Sequence, residues 1–247
     1  MAITEQYMAL SEGADTDQPE EATTEEPRPG GRTPRERFDA LPEDLKDKIL
    51  DEHRHWNVEH IDWWDSVYDQ FKYDMGEIGI DVDRMYFSGF WSQGDGACFE
   101  GSVCDWELFL KSLGYTEPAL IKHATSYFGM RVEHRGHYYH ENCTSFEADL
   151  PLPDGDADEW FLEHFSPYQD DRHSLHEAVW MAIINKHDRN ALEREFAEVF
   201  KDHMRDLYKR LEEEYDYLTS DEAVLDSLEA NDQLEDAIND AMENDNA

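Results

Sequence analysis

Near the middle of the chain, His134, His137, His140 and Cys143 follow one another at spacings of three, and Cys98 and Cys104 lie in an earlier glycine-bearing segment. Imidazole and thiolate are zinc-type ligands, and two converging hairpin tips would bring three or four of them together. The spacing opposes a site on one strand, because residues three apart in an extended chain point to opposite faces. His137, Tyr138, Tyr139 and His140 are therefore read as a hairpin tip whose rings pack and hydrogen-bond, and as a candidate interaction surface. No metal or cofactor is expected there.

Gln93-Gly94-Asp95-Gly96 has neither the lysine nor the following helix of a phosphate-binding loop, and one carboxylate is too few for calcium. The expectation is a tight turn in which Gly94 and Gly96 take positive φ and Asp95 bonds the turn backbone, leaving Gln93 and Asp95 as candidate contacts. Glu100 and Glu147 could form a carboxylate pair for acid–base work, but no base or nucleophile accompanies them, so a solvated sheet face is expected. No Ser-His-Asp or Cys-His arrangement can be placed, although Cys98 or Cys143 with one of several histidines stays open. The remaining candidates are carboxylates late in the chain: Glu212, Glu213, Glu214, Asp216, Asp221 and Glu222.

The pattern of apolar residues supplies the elements that must position these groups. Residues 1–33 hold little apolar surface and are expected to be a disordered acidic arm. Thr33-Pro34 introduces a first helix, Leu41-Pro42 a second carrying Leu45 and Ile49, and Trp64, Val67, Tyr68 and Phe71 mark a third. Met85–Trp91 and Ala97–Val103 read as strands joined by Ser92–Gly96. A helical stretch from Asp105 to about Phe128 breaks at Gly114, and a second hairpin runs from Met130 to Asp149.

Aligned on Gly89 and Gly136, the two hairpins share an aromatic two residues on, Asp or Asn at six, and Phe-Glu at ten and eleven. The fold class expected is α+β, with a four-stranded antiparallel sheet from two similar hairpins and helices on one face. From Asp158 the pattern is helical, through Trp160, Phe161, Phe165, Leu175, Val179 and Ile183. A long stripe follows from Leu192 to about Tyr217. Thr219-Ser220-Asp221-Glu222 reads as a capping box opening a last helix. The division expected is an arm at 1–33, a globular domain at 34–218 and an acidic helical segment at 219–247.

Charge then limits the function. The chain of 247 residues carries 60 Asp and Glu against 21 Lys and Arg, a formal net charge of -39, while 39% hydrophobic and 13% aromatic residues suffice for a core. Direct nucleic-acid binding is disfavoured, because that affinity comes from cations displacing phosphate counterions, and anionic membranes are disfavoured likewise. After Arg210 there is no Lys or Arg, and fourteen carboxylates follow from Glu212. A salt-adapted host would bias a whole proteome this way, but Lys46, Lys48, Lys72, Lys111, Lys122, Lys186, Lys201 and Lys209 remain along the expected core. No apolar run reaches the roughly 18 residues of a spanning helix, and three cysteines are too few for a disulfide framework, so a cytoplasmic location is expected.

Three stretches occur in order: Tyr86-Phe87-Ser88-Gly89-Phe90-Trp91-Ser92-Gln93-Gly94-Asp95-Gly96-Ala97-Cys98-Phe99-Glu100-Gly101, Glu133–His140, and Glu214–Ala223. Over roughly Trp56 to Asn231 the chain resembles small phage and prophage proteins, some labelled antitoxins of toxin–antitoxin stability systems. The resemblance implies a mobile-element origin and carries no catalytic residue. The expectation is an acidic inhibitor of a basic or DNA-binding host protein, acting by binding and presenting carboxylates in place of DNA phosphates. One alternative is an antitoxin-like regulator acting through its acidic segments. Another is a metal-dependent enzyme at the hairpin tips. The apolar side of the stretch from Asn190 to Leu218 is a candidate seam for a homodimer.

Overall fold

The computed structural model describes residues 31–59, 62–151 and 188–245. The arm expected at 1–33 lies, as far as residue 30, outside the described residues, as do the helical pattern from Asp158 to Ile183 and the tryptophans Trp160 and Trp180.

Four strands, β1 (Ile80–Phe87), β2 (Ala97–Val103), β3 (Gly129–His134) and β4 (Thr144–Asp149), lie in chain order in one antiparallel sheet. The two expected hairpins sit side by side, joined where Gly101 faces Val132 and Ser102 faces Arg131. The first strand starts earlier than its aromatic run predicts and stops at Phe87, so the connection spans 88–96 instead of Ser92–Gly96. Its opening half is disguised by charge: Ile80 and Val82 are buried while Asp81 between them is exposed, the alternation of a strand with one wet face. A register shift between Val82 and Arg84 then returns Met85 opposite Phe99.

The inner face of the sheet is closed by α7 (Arg189–Leu218), which begins where the Asp188 side chain accepts from the Ala191 backbone N–H. Leu192, Phe196, Phe200, Met204, Leu207 and Leu211 repeat every three or four residues and are all buried. The Phe200 ring centroid lies 5.8 Å from Phe99 of β2 and 6.1 Å from Phe146 of β4. The stripe offered as a dimer seam is therefore consumed by the chain's own core.

Two more helices join this layer. On α5 (Trp106–Ser112), whose first turn is capped by Asp105, Trp106 and Phe109 meet Phe196 at 5.8 and 5.3 Å. On α4 (Asp65–Glu77), Phe71 meets Phe99 at 5.5 Å, and Asp74 holds Arg210 of α7 at 2.5 Å. Gly114 separates α5 from α6 (Pro118–Tyr127), as expected.

A second apolar cluster joins distant parts of the chain. Phe38 of α1 (Pro34–Asp39) and Ile49 and Leu50 of α2 (Glu43–His53) pack against α8 (Asp221–Ala230) and α9 (Leu234–Asp245). The partners there include Val224, Leu228, Leu234 and Ile238. Arg35 pairs with Asp226 at 2.9 Å, Arg37 with Glu235, and Arg54 with Asp221 at 2.8 Å. The short α3 (Trp56–Glu59) lies between α2 and α4 in sequence. The capping box expected at 219–222 is half realised. Ser220 accepts from the Ala223 N–H, and because the third helical position is Ala223 no side chain returns the bond. Nor is this helix the last, since α9 follows.

Replacing Phe200, which has no exposed surface, with Ala should cost about 3–5 kcal/mol in urea denaturation. His203 of α7 supplies a second check. Burial holds its imidazole below the ordinary 6.5, against the opposing pull of Asp206 and Asp202. A depressed folded-state pKa means the stability is present above 6.5 and lost as pH falls from there towards the folded value. Between pH 7.5 and 5.5 wild type should therefore lose stability relative to His203→Gln, measured by parallel denaturation series.

Candidate functional site

The tips of the two hairpins meet. The loop 88–96 and the loop 135–143, which ends in a 3-10 turn at Glu141–Cys143, enclose a cleft of about 580 Å³. Its lining includes Gln93, Asp95, His137, Tyr138 and Tyr139, five of the residues singled out from sequence. Tyr86 forms another part of the wall, stacked on Tyr139 at 5.1 Å. His140 stands beside the cleft, its Nδ1 accepting from the Asn142 N–H at 3.2 Å and lying 2.8 Å from Glu141.

Two glycines allow the loops to touch. Gly94 has φ +96, and a Cβ there would lie 2.5 Å from the Tyr138 ring. Gly96 does not take the positive φ expected of it; its constraint is proximity, since a Cβ would lie 2.5 Å from the Tyr139 carbonyl oxygen. Asp95 plays the expected turn role, its Oδ2 accepting from the Ser92 N–H at 2.6 Å.

The possible metal and acid–base groupings separate. Among the described residues no three His, Cys, Asp or Glu side chains come together as metal ligands. His134 Nε2 lies 3.2 Å from the Tyr138 carbonyl oxygen. Cys98 is fully buried; that burial, followed by the nearby Cys143, Glu100 and Glu141, pushes its thiol up to about 12. Glu100 accepts from the His134 N–H at 3.3 Å and Glu147 pairs with Arg135 at 3.1 Å, so each has a different partner.

The acidic candidates form a second surface, next to the first. Glu212, Glu213, Glu214 and Asp216 lie in the last two turns of α7, all exposed except Glu214, which is half-buried. Asp221 and Glu222 open α8. Among the described residues Glu213 pairs with Lys209 at 3.1 Å and Asp221 with Arg54, while Glu212, Glu214, Asp216 and Glu222 have no cation within ion-pair distance. Arg210 is already shared between Asp74 and Asp206.

Aromatic side chains tie the two surfaces together. Phe90, in the first hairpin loop, meets Tyr208 and Tyr215 of α7 at 5.5 and 5.2 Å. Trp91 rests edge-on against Tyr215 at 5.2 Å and is 76% exposed. Burial, then Glu212 and then Asp95, raise the Tyr208 hydroxyl above its ordinary value, so the charge of both surfaces is felt at one hydroxyl. Sequence reasoning named neither Trp91 nor Tyr215 as a site residue. The available signal was the Phe90-Trp91 pair inside the loop, where the expected strand would have hidden it.

Thiol labelling tests this geometry. At pH 8 the native protein should be alkylated first at exposed Cys104, more slowly at half-buried Cys143, and at Cys98 only on unfolding, as read by peptide mass spectrometry.

Residues 63–221 match the family model described as Domain of unknown function (DUF8835), which covers more than half of the chain. No curated protein and no solved structure matches it.

Proposed function

The chain belongs to the DUF8835 family, and we propose that it acts by binding. Its ligand is a basic, DNA-binding protein of the host, to which it offers carboxylates in place of DNA phosphates. One observation carries this reading: Glu212, Glu214 and Asp216 lie in the last two turns of a 30-residue helix and, among the described residues, have no cation within ion-pair reach. That end is the negative pole of the helix dipole, where an anion in the last turn, as Asp216 is, is disfavoured by about 0.3–1 kcal/mol. Glu212 and Asp216, four residues apart, also repel one another on one face. Helix stability therefore does not account for these carboxylates. It does account for Asp221, which sits at the positive end of α8 and pairs with Arg54.

The helical rise supports the geometry of such a surface, because side chains one turn apart are separated by about 5.4 Å along the axis, near the spacing of successive phosphates. The surface is pre-formed, since α7 is locked on the sheet and α8 is held by α1 and α2. That favours a folded inhibitory surface over a segment that orders only on contact. The resemblance to phage proteins fits an inhibitor acting in the host cytoplasm. Among the described residues no helix is long and apolar enough to cross a membrane.

Immobilised protein exposed to host lysate at about 0.15 M salt should retain a partner that duplex DNA elutes and that loses DNA binding when the chain is added. Changing Glu212, Glu214, Asp216 and Glu222 to their amides should weaken that retention by on the order of tenfold, with the circular dichroism unchanged. A retained partner indifferent to duplex DNA would remove the phosphate-surrogate reading.

A further inference from the structure

We propose that Trp91, seated on Tyr215 of the carboxylate-bearing end of α7, is the anchor for an arginine side chain of the basic partner. This rests on the reading of the acidic surface given above and names the residue that selects what docks there. A tryptophan left 76% exposed gives up most of the apolar burial it could have. Yet the ring is held in place: Phe90 meets it at 5.7 Å and Tyr215 at 5.2 Å, both edge-on, and Tyr215 is itself braced by Trp63 at 5.7 Å and by its hydroxyl 3.2 Å from His55 Nδ1. Rigid, exposed and aromatic is the profile of an interface hot spot, since little side-chain freedom is lost on docking.

The surrounding charge decides the occupant. Glu212 is three residues before Tyr215 on α7 and therefore on the same side of the helix, and Asp216 lies one turn beyond Glu212. Asp95 comes from the loop that carries Trp91, and its Oδ2 accepts from the N–H of the adjoining Ser92 at 2.6 Å. An apolar partner would strip water from these carboxylates without compensation, and an anionic one would be repelled. A guanidinium satisfies both features at once, its plane on the indole face and its N–H groups donating to carboxylate oxygens. An ammonium reaches the carboxylates as a point charge and gains less from the ring. The surface should thus prefer arginine over lysine, a discrimination that net charge alone does not supply.

Calorimetric titration of the full chain with nona-arginine and nona-lysine peptides at about 0.15 M salt reads this preference. Wild type should bind nona-arginine about three- to fivefold more tightly than nona-lysine. Trp91→Ala should remove that ratio while keeping nona-lysine affinity, Trp91→Phe should retain part of it, and Tyr73→Ala, an exposed aromatic on α4, should leave it unchanged. Equal binding of the two peptides by wild type, or an unchanged ratio in a folded Trp91→Ala protein, would overturn the anchor and leave the acidic-surface reading standing. Failure of wild type to bind either peptide would overturn both.

Discussion

The apolar stripe that α7 lays across the inner face of the sheet, from Leu192 to Leu211, is the contact on which the remaining geometry depends. It fixes where α7 lies and also its rotation about its own axis. With Phe196, Phe200, Met204, Leu207 and Leu211 all without exposed surface, the helix cannot turn without lifting large side chains out of the core. Glu212, Glu213 and Asp216 follow directly on Leu211, so the same packing that stabilises the domain directs them outward. Core and candidate binding surface are two faces of one helix.

Electrostatics sorts the acidic residues by cause. The carboxylates of α8 and α9 that meet Arg35, Arg37 and Arg54 are local ties across a helix–helix contact, each worth little at the surface. At the end of α7, Asp216 works against the dipole, and Glu212 and Asp216 work against each other. A formal charge of -39 describes both groups equally. Only the placement of cations separates them, and these come largely from helices far away in sequence.

Much of this was legible because it is local. The hairpin repeat, the break at Gly114, the long stripe of α7 and the run of carboxylates after Arg210 each follow from spacing or composition within a short window. What escaped is either masked or non-local. Asp81 and Asp83 conceal the start of β1 beneath charge, although Ile80 and Val82 keep the period of a half-buried strand. Gly96 could be recognised as a constraint, but the reason lies in the Tyr139 carbonyl of another hairpin. The contact of Trp91 with Tyr215 joins a loop to a helix with the whole second hairpin between them, and no pattern along the chain announces it.

The second apolar cluster also bears on how the chain is made. Phe38, Ile49 and Leu50 leave the ribosome early, whereas Val224, Leu228, Leu234 and Ile238 are synthesised long afterwards. Among the described residues the apolar cover of Phe38, Ile49 and Leu50 comes from those later helices, and closing that contact spans a loop that includes the entire sheet. The first helices thus wait on the last ones, and a chain interrupted ahead of α8 would display Phe38, Ile49 and Leu50 to the solvent. In that sense the contact makes the burial of an early segment conditional on the synthesis of a late one.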